Sequence, residues 1–170
     1  NTCWTAQALL DLKTDPTAAH DSCAHIEDTR WQAECFFTLA EQSNTEETLE
    51  TALRFCDNSQ QFQKSCWLHV VLKLSQQSTL HSNDWQWHSK ITEQISTHET
   101  IEQPFRADLT AHFMAQSIWR QWENGTFDTT APYPEIAQST IQDLQSIEVL
   151  RWCDVPLQQL HKWALLTKGV

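Results

Sequence analysis

The feature that most constrains this chain is a pattern written twice between Cys23 and Val71. Laying Cys35 on Cys66 brings Trp31 over Phe62, Phe36 over Trp67, Phe37 over Leu68 and Leu39 over Val70. Upstream, Cys23 falls over Cys56 and Ala19 over Ala52 once two residues are allowed for in the connecting segment. The copies lie 31 to 33 residues apart. A period of that size belongs to arrays of helical hairpins, in which no unit can bury its apolar face alone and each must stack on the next. The expected fold is all-α: tandem antiparallel helical hairpins, roughly five units of ~32 residues, making one repeat domain over 1–170.

Fainter copies extend the pattern to both ends. Leu150-Arg151-Trp152-Cys153-Asp154 matches Leu53-Arg54-Phe55-Cys56-Asp57, and Cys153 lies 97 residues, three periods, after Cys56. Cys3-Trp4 stands 32 residues before Cys35-Phe36. The cysteines thus form two kinds: Cys23, Cys56 and Cys153 end a helix, whereas Cys3, Cys35 and Cys66 lie inside one. The plan resembles that of tetratricopeptide and Sel1-like repeats. Their signature Gly and Tyr positions are absent, so the resemblance is one of architecture alone.

Two glycines in 170 residues are too few for strands joined by tight turns, which call for positive φ, and suit helices joined by short polar links. The local signals place those helices. The first covers residues 3–13, and Asp15-Pro16 caps and opens the second, which runs to about Cys23 or His25. Asp28 or Thr29 caps a third that reaches about Gln42, with Trp31, Cys35, Phe36 and Leu39 on one face. Asn44-Thr45-Glu46-Glu47 reads as the capping-box start of a fourth, and a fifth covers about Gln60–Ser75. Asn83 or Asp84 caps a helix bearing Trp85, Ile91 and Ile95. Pro104 opens the longest helix, with Phe105, Leu109, Phe113, Ile118, Trp119 and Trp122 as its apolar stripe. Asn124 to Pro134 reads as a long loop suited to partner contact, and Asn124-Gly125-Thr126 fits a glycosylation acceptor. Two further helices are expected, from Glu135 and from Asp154-Val155-Pro156.

Six cysteines in register with a repeat point to a disulfide framework and so to an oxidising compartment, periplasmic or secreted. Repeat equivalence pairs Cys23 with Cys35 and Cys56 with Cys66; the rival set is Cys3–Cys23 with Cys35–Cys56. Cys3 and Cys153 are then orphans, and their pairing would curl or close the array. The chain begins Asn1-Thr2-Cys3 rather than with Met, as a mature product would. A formal charge of −11, with 11 Lys and Arg against 22 Asp and Glu, opposes binding to phosphate backbones or anionic lipid. No apolar run approaches the ~20 residues that span a bilayer. A protein partner is expected, with neither nucleic acid nor membrane insertion.

Chemistry is thinly signalled. No Gly-rich phosphate loop, nucleophile elbow or dinucleotide fingerprint occurs, so neither an enzyme nor a cofactor is expected. His20-x2-Cys23 and Cys66-x2-His69 offer an alternative zinc set of His20, Cys23, Cys66 and His69. Against it, the cysteines have better partners in each other, and no metal is expected. Nine tryptophans stand out more. Trp4, Trp31 and Trp67 hold repeat positions and are expected in the core. Trp85, Trp87, Trp119 and Trp122 fall outside the pattern and are the candidate partner-binding residues, Trp87 being the one expected near the surface. The function expected is that of a non-enzymatic extracytoplasmic interaction module or accessory subunit. The alternative is a small-molecule or metal binder with a Trp/His-lined pocket between hairpins.

Overall fold

The computed structural model describes residues 2–81 and 84–126. All their regular structure is helical: seven α-helices and two 3₁₀ turns, with no strand among the described residues. The helices expected beyond residue 126, and Cys153 with them, lie outside the described residues. The chain divides into two compact units, Asn1–Lys73 and Leu74–Val170.

The first unit holds α1 (Thr2–Asp11), α2 (Pro16–Ala24), α3 (Thr29–Gln42), α4 (Leu49–Asp57) and most of α5 (Gln63–Ser75). Its helices start where short polar side chains can take up orphan backbone N–H groups. Asp15 accepts from Thr17 N with Pro16 at the first helical position, and Asp28 accepts from both Arg30 N and Trp31 N. The start of α4 differs from expectation. Asn44 is buried, and its amide donates to Val70 C=O at 2.9 Å instead of capping a helix. Four more residues then pass before α4 begins at Leu49, with Thr48 turned back to donate to Ser43 C=O. Before α5, Gln60–Phe62 forms a 3₁₀ turn entered at Gln60 with φ 46°.

In the core, α1 packs on α2, α2 on α3 and α3 on α4. Ala19, Cys23, Leu39, Leu53, Cys56 and Val70 are at most 1 % exposed. Disulfides join Cys23 to Cys35 and Cys56 to Cys66, with Cα atoms 5.7 and 5.4 Å apart. These are the pairs that repeat equivalence selects, and they rule out the rival set, which would use the same sulfurs. Each bond ties a helix end to the α-helix that follows, at the middle of α3 for Cys35 and in the first turn of α5 for Cys66, across a link that an amide also spans. Gln32 Nε2 donates to Ala24 C=O and Ile26 C=O, each at 3.1 Å, and Gln63 Nε2 donates to Asp57 C=O at 3.2 Å. Cys3 is exposed, and its expected partner, Cys153, lies outside the described residues.

Two tryptophans depart from their expected places in the core. Trp67 is buried and donates from its indole to Leu53 C=O at 3.4 Å, but Trp31 is 53 % and Trp4 42 % exposed. The cause for Trp31 is its position in the first turn of α3. Residues 29 to 32 are exposed or half-buried throughout, and the buried face starts only at Ala33.

The described part of the second unit is built on α6 (Trp85–Thr97) and α7 (Gln103–Glu123), with a 3₁₀ turn, Gln76–Thr79, packed on α7. Asp84 caps α6 by accepting from Trp87 N. Ile91, Ile95, Ile101, Leu109 and Phe113 form the core, each at most 1 % exposed. A Schellman turn ends α7: Thr126 N donates to Gln121 C=O at 2.8 Å across Gly125, whose φ of +66° is the left-handed conformation that glycine supplies freely. Gly125 and Thr126 therefore have a structural reason to be where they are, apart from any glycosylation signal. No helix among the described residues is long and apolar enough to cross a membrane.

Candidate functional site

The densest grouping of chemically capable side chains lies where α6 begins. Asp84 organises it. One carboxylate oxygen accepts from Trp87 N at 3.0 Å, the other lies 3.9 Å from His81 Nδ1, and its backbone carbonyl accepts from His88 Nδ1 at 2.8 Å. Trp87 is held between rings: His81 stacks on it at 4.4 Å with the planes 2° apart, and His88 meets it edge-on at 4.8 Å. Phe113 of α7 leans against both Trp87 and His88. From the following turns of α7, Gln121 Nε2 donates to His88 Nε2 at 3.2 Å.

This network fixes the state of His88. Its Nδ1 carries the proton, which goes to Asp84 C=O, and its Nε2 lone pair takes the Gln121 N–H, so both nitrogens are occupied in the neutral ring. Burial pushes its pKa below the ordinary histidine value. The bond to the Asp84 carbonyl and the Asp84 carboxylate oppose that shift, and His81 adds to it. His112, buried in α7, is likewise lowered by burial. An imidazole so engaged offers no lone pair to a metal or to a substrate proton. It is a packed polar network and not a catalytic base.

Trp87 belongs to this buried network and is 3 % exposed, which corrects its assignment as the surface tryptophan. The two-residue offset from Trp85 shows that the two indoles diverge, but not which one turns inward. His88, His81 and Phe113 decide that by surrounding Trp87. Trp85 lies in α6 and Trp119 and Trp122 in α7, and their side chains lie outside the described residues.

The alternative zinc set is not assembled. Cys23 and Cys66 spend their sulfurs in two different disulfides, which removes the thiolates. His20 instead pairs with Asp21 at 3.3 Å and rests on Phe36, while His69 pairs with Glu41 at 2.7 Å and rests on Phe37. Among the described residues no group of three or more His, Cys, Asp or Glu is placed to hold a metal.

A cavity of about 320 Å³ opens beside α7, lined by Ser96, Gln103, Arg106, Thr110 and Met114 among others, with neither Trp nor His. Its one cation is committed to structure. The Arg106 guanidinium donates to Ser96 C=O at 3.0 Å, to Glu99 C=O at 3.1 Å and to Ile101 C=O, closing the carbonyl end of α6. Models of known protein families, curated proteins and solved structures contain no match to this chain.

Large apolar side chains are exposed at Trp4, which stacks on His25 at 4.9 Å, at Leu10 and at Trp31 in the first unit, and at Leu80 in the second. The repeat alignment pointed at Trp4 and Trp31 but assigned them to packing. Position in the first turn, together with flanking Asp28 and Arg30, was the signal that could have separated Trp31 from the core.

Proposed function

We propose that the chain is a non-enzymatic interaction module, or an accessory subunit of a larger complex, built as a tandem array of helical hairpins and working in an extracytoplasmic compartment. The observation that carries the binding reading is Trp31, 53 % exposed on a unit whose core is pinned by two disulfides. A large aromatic surface held rigidly loses little conformational freedom on binding, and tryptophan leads the residues that dominate protein interfaces. The array reading is supported by matched details. Phe36 and Trp67, Leu39 and Val70, and Ala19 and Ala52 are each buried alike, and Gln32 and Gln63 make the same kind of amide bond to the link before their helix. The compartment reading is supported by the disulfides, which persist in oxidising surroundings.

The test is the size of the native particle. In a native extract the protein is expected to elute from a gel-filtration column well ahead of the purified monomer. Trp31→Ala and Trp4→Ala together should return it to the monomer position with an unchanged circular dichroism spectrum. Native protein at the monomer position, or an assembly indifferent to both substitutions, would overturn the reading.

A further inference from the structure

Polar groups in the core of the second unit converge on a single titratable ring. His88 and Gln121 are each 0 % exposed, and the bond between them joins α6 to α7. We propose that His88, held between the Asp84 carbonyl and the Gln121 amide, is an acid-sensitive latch that fastens α6 to α7 while its imidazole is neutral and releases them when the ring takes a proton.

The geometry supplies the reason. With Nδ1–H already donated to Asp84 C=O, the only place for a second proton is Nε2, which faces the N–H of Gln121. Protonation puts donor against donor. Turning the Gln121 amide over would offer Oε1, which has no hydrogen-bond partner among the described residues, but the charge would still sit against Phe113 and the edge of Trp87. On the α6 side, the Asp84 carboxylate favours the cation, whereas burial and His81 disfavour it. On the α7 side, Gln121 and Phe113 meet it and are uncharged; the titratable groups beside them in sequence are His112, buried, and Arg120. The 3₁₀ turn Gln76–Thr79 that packs on α7 contains no titratable residue.

The first unit lacks such a group. His20, His25 and His69 are half-buried or exposed, so protonating them moves no charge into a core. The latch therefore predicts a local response: acid loosens the second unit and leaves the disulfide-pinned first unit in place. For a binding module this provides acid-triggered rearrangement without loss of its fixed surface, although the latch does not depend on what the first unit binds.

The test is an acid titration of the full, disulfide-intact chain. Imidazole resonances are followed by NMR, side-chain packing by near-ultraviolet circular dichroism and helix content by far-ultraviolet circular dichroism. The packing signal should fall reversibly as the pH drops below the ordinary histidine value of 6.5, in step with the His88 resonance, while amides around Cys35 and Cys66 do not move. His112→Gln should keep that transition and His88→Gln should remove it. If His88→Gln does not fold, the coincidence in the unsubstituted chain and the His112→Gln control decide. Packing that persists through the titration of His88, or a transition that follows His112 instead, would overturn the proposal.

Discussion

Trp31, Trp67 and Trp87 show how far a residue's place can be read from its spacing. Trp67 follows Cys66 as Phe36 follows Cys35, and both aromatic rings are 3 % exposed, so the register of a disulfide-bearing helix locates its core face well. Trp31 lies one turn before Cys35 on that same face, yet it is exposed, because periodicity specifies direction around a helix and not how far along it the neighbours reach. Trp87 escaped for a different reason: the rings that bury it come from His81, outside α6, and from Phe113 on another helix. Removing Trp67 or Trp87 should cost about 3–5 kcal/mol, as emptying a buried aromatic site does. Trp31→Ala should change stability by no more than about 0.5 kcal/mol, as at exposed positions. Urea denaturation of the three alanine variants checks this, and a loss at Trp31 equal to that at Trp67 would place Trp31 in the core after all.

At the scale of elements, starts fixed by a local hydrogen bond were legible, and one fixed by a distant partner was not. Asp15, Asp28 and Asp84 each accept from the first turn of the helix they precede; the sequence singled out Asp15 and narrowed the others to Asp28 or Thr29 and to Asn83 or Asp84, because the reward is two or three residues away. Asn44 has the same chemistry but spends its amide on Val70 C=O, 26 residues on, and no local rule anticipates that. Two substitutions separate the roles. Asp28→Ala should cost about 1 kcal/mol, the usual value of a cap. Asn44→Asp is the sharper case: a carboxylate caps a helix as well as an amide does, but it cannot donate to Val70. A neutral effect would mean a cap, whereas a buried carbonyl left without its donor should cost about 1–3 kcal/mol in thermal or urea unfolding.

For the whole molecule the all-α class was legible from the glycine count and the doubled pattern. The cysteine argument reached the pairs between successive helices, Cys23–Cys35 and Cys56–Cys66, whereas Cys153, the expected partner of Cys3, lies outside the described residues. The two units are stabilised by different means, and two perturbations should tell them apart. Reduction opens loops of 12 and 10 residues in the first unit, each worth about 3 kcal/mol on the chain-entropy model. Acid acts on the second. His88 and His112 have pKa values below the ordinary 6.5 when folded, so below that pH the unfolded chain binds more protons than the native one. Their contribution is intact above about pH 6.5 and is lost as the pH falls toward the lowered folded values. Hydrogen exchange read by mass spectrometry resolves both. Reductant at pH 7.5 should raise exchange across α2–α5 and spare α6 and α7, and pH 5 without reductant, after correction for the intrinsic rate, should do the reverse. Equal loss of protection in both units under either treatment would mean that the disulfides and the buried histidines support one common core.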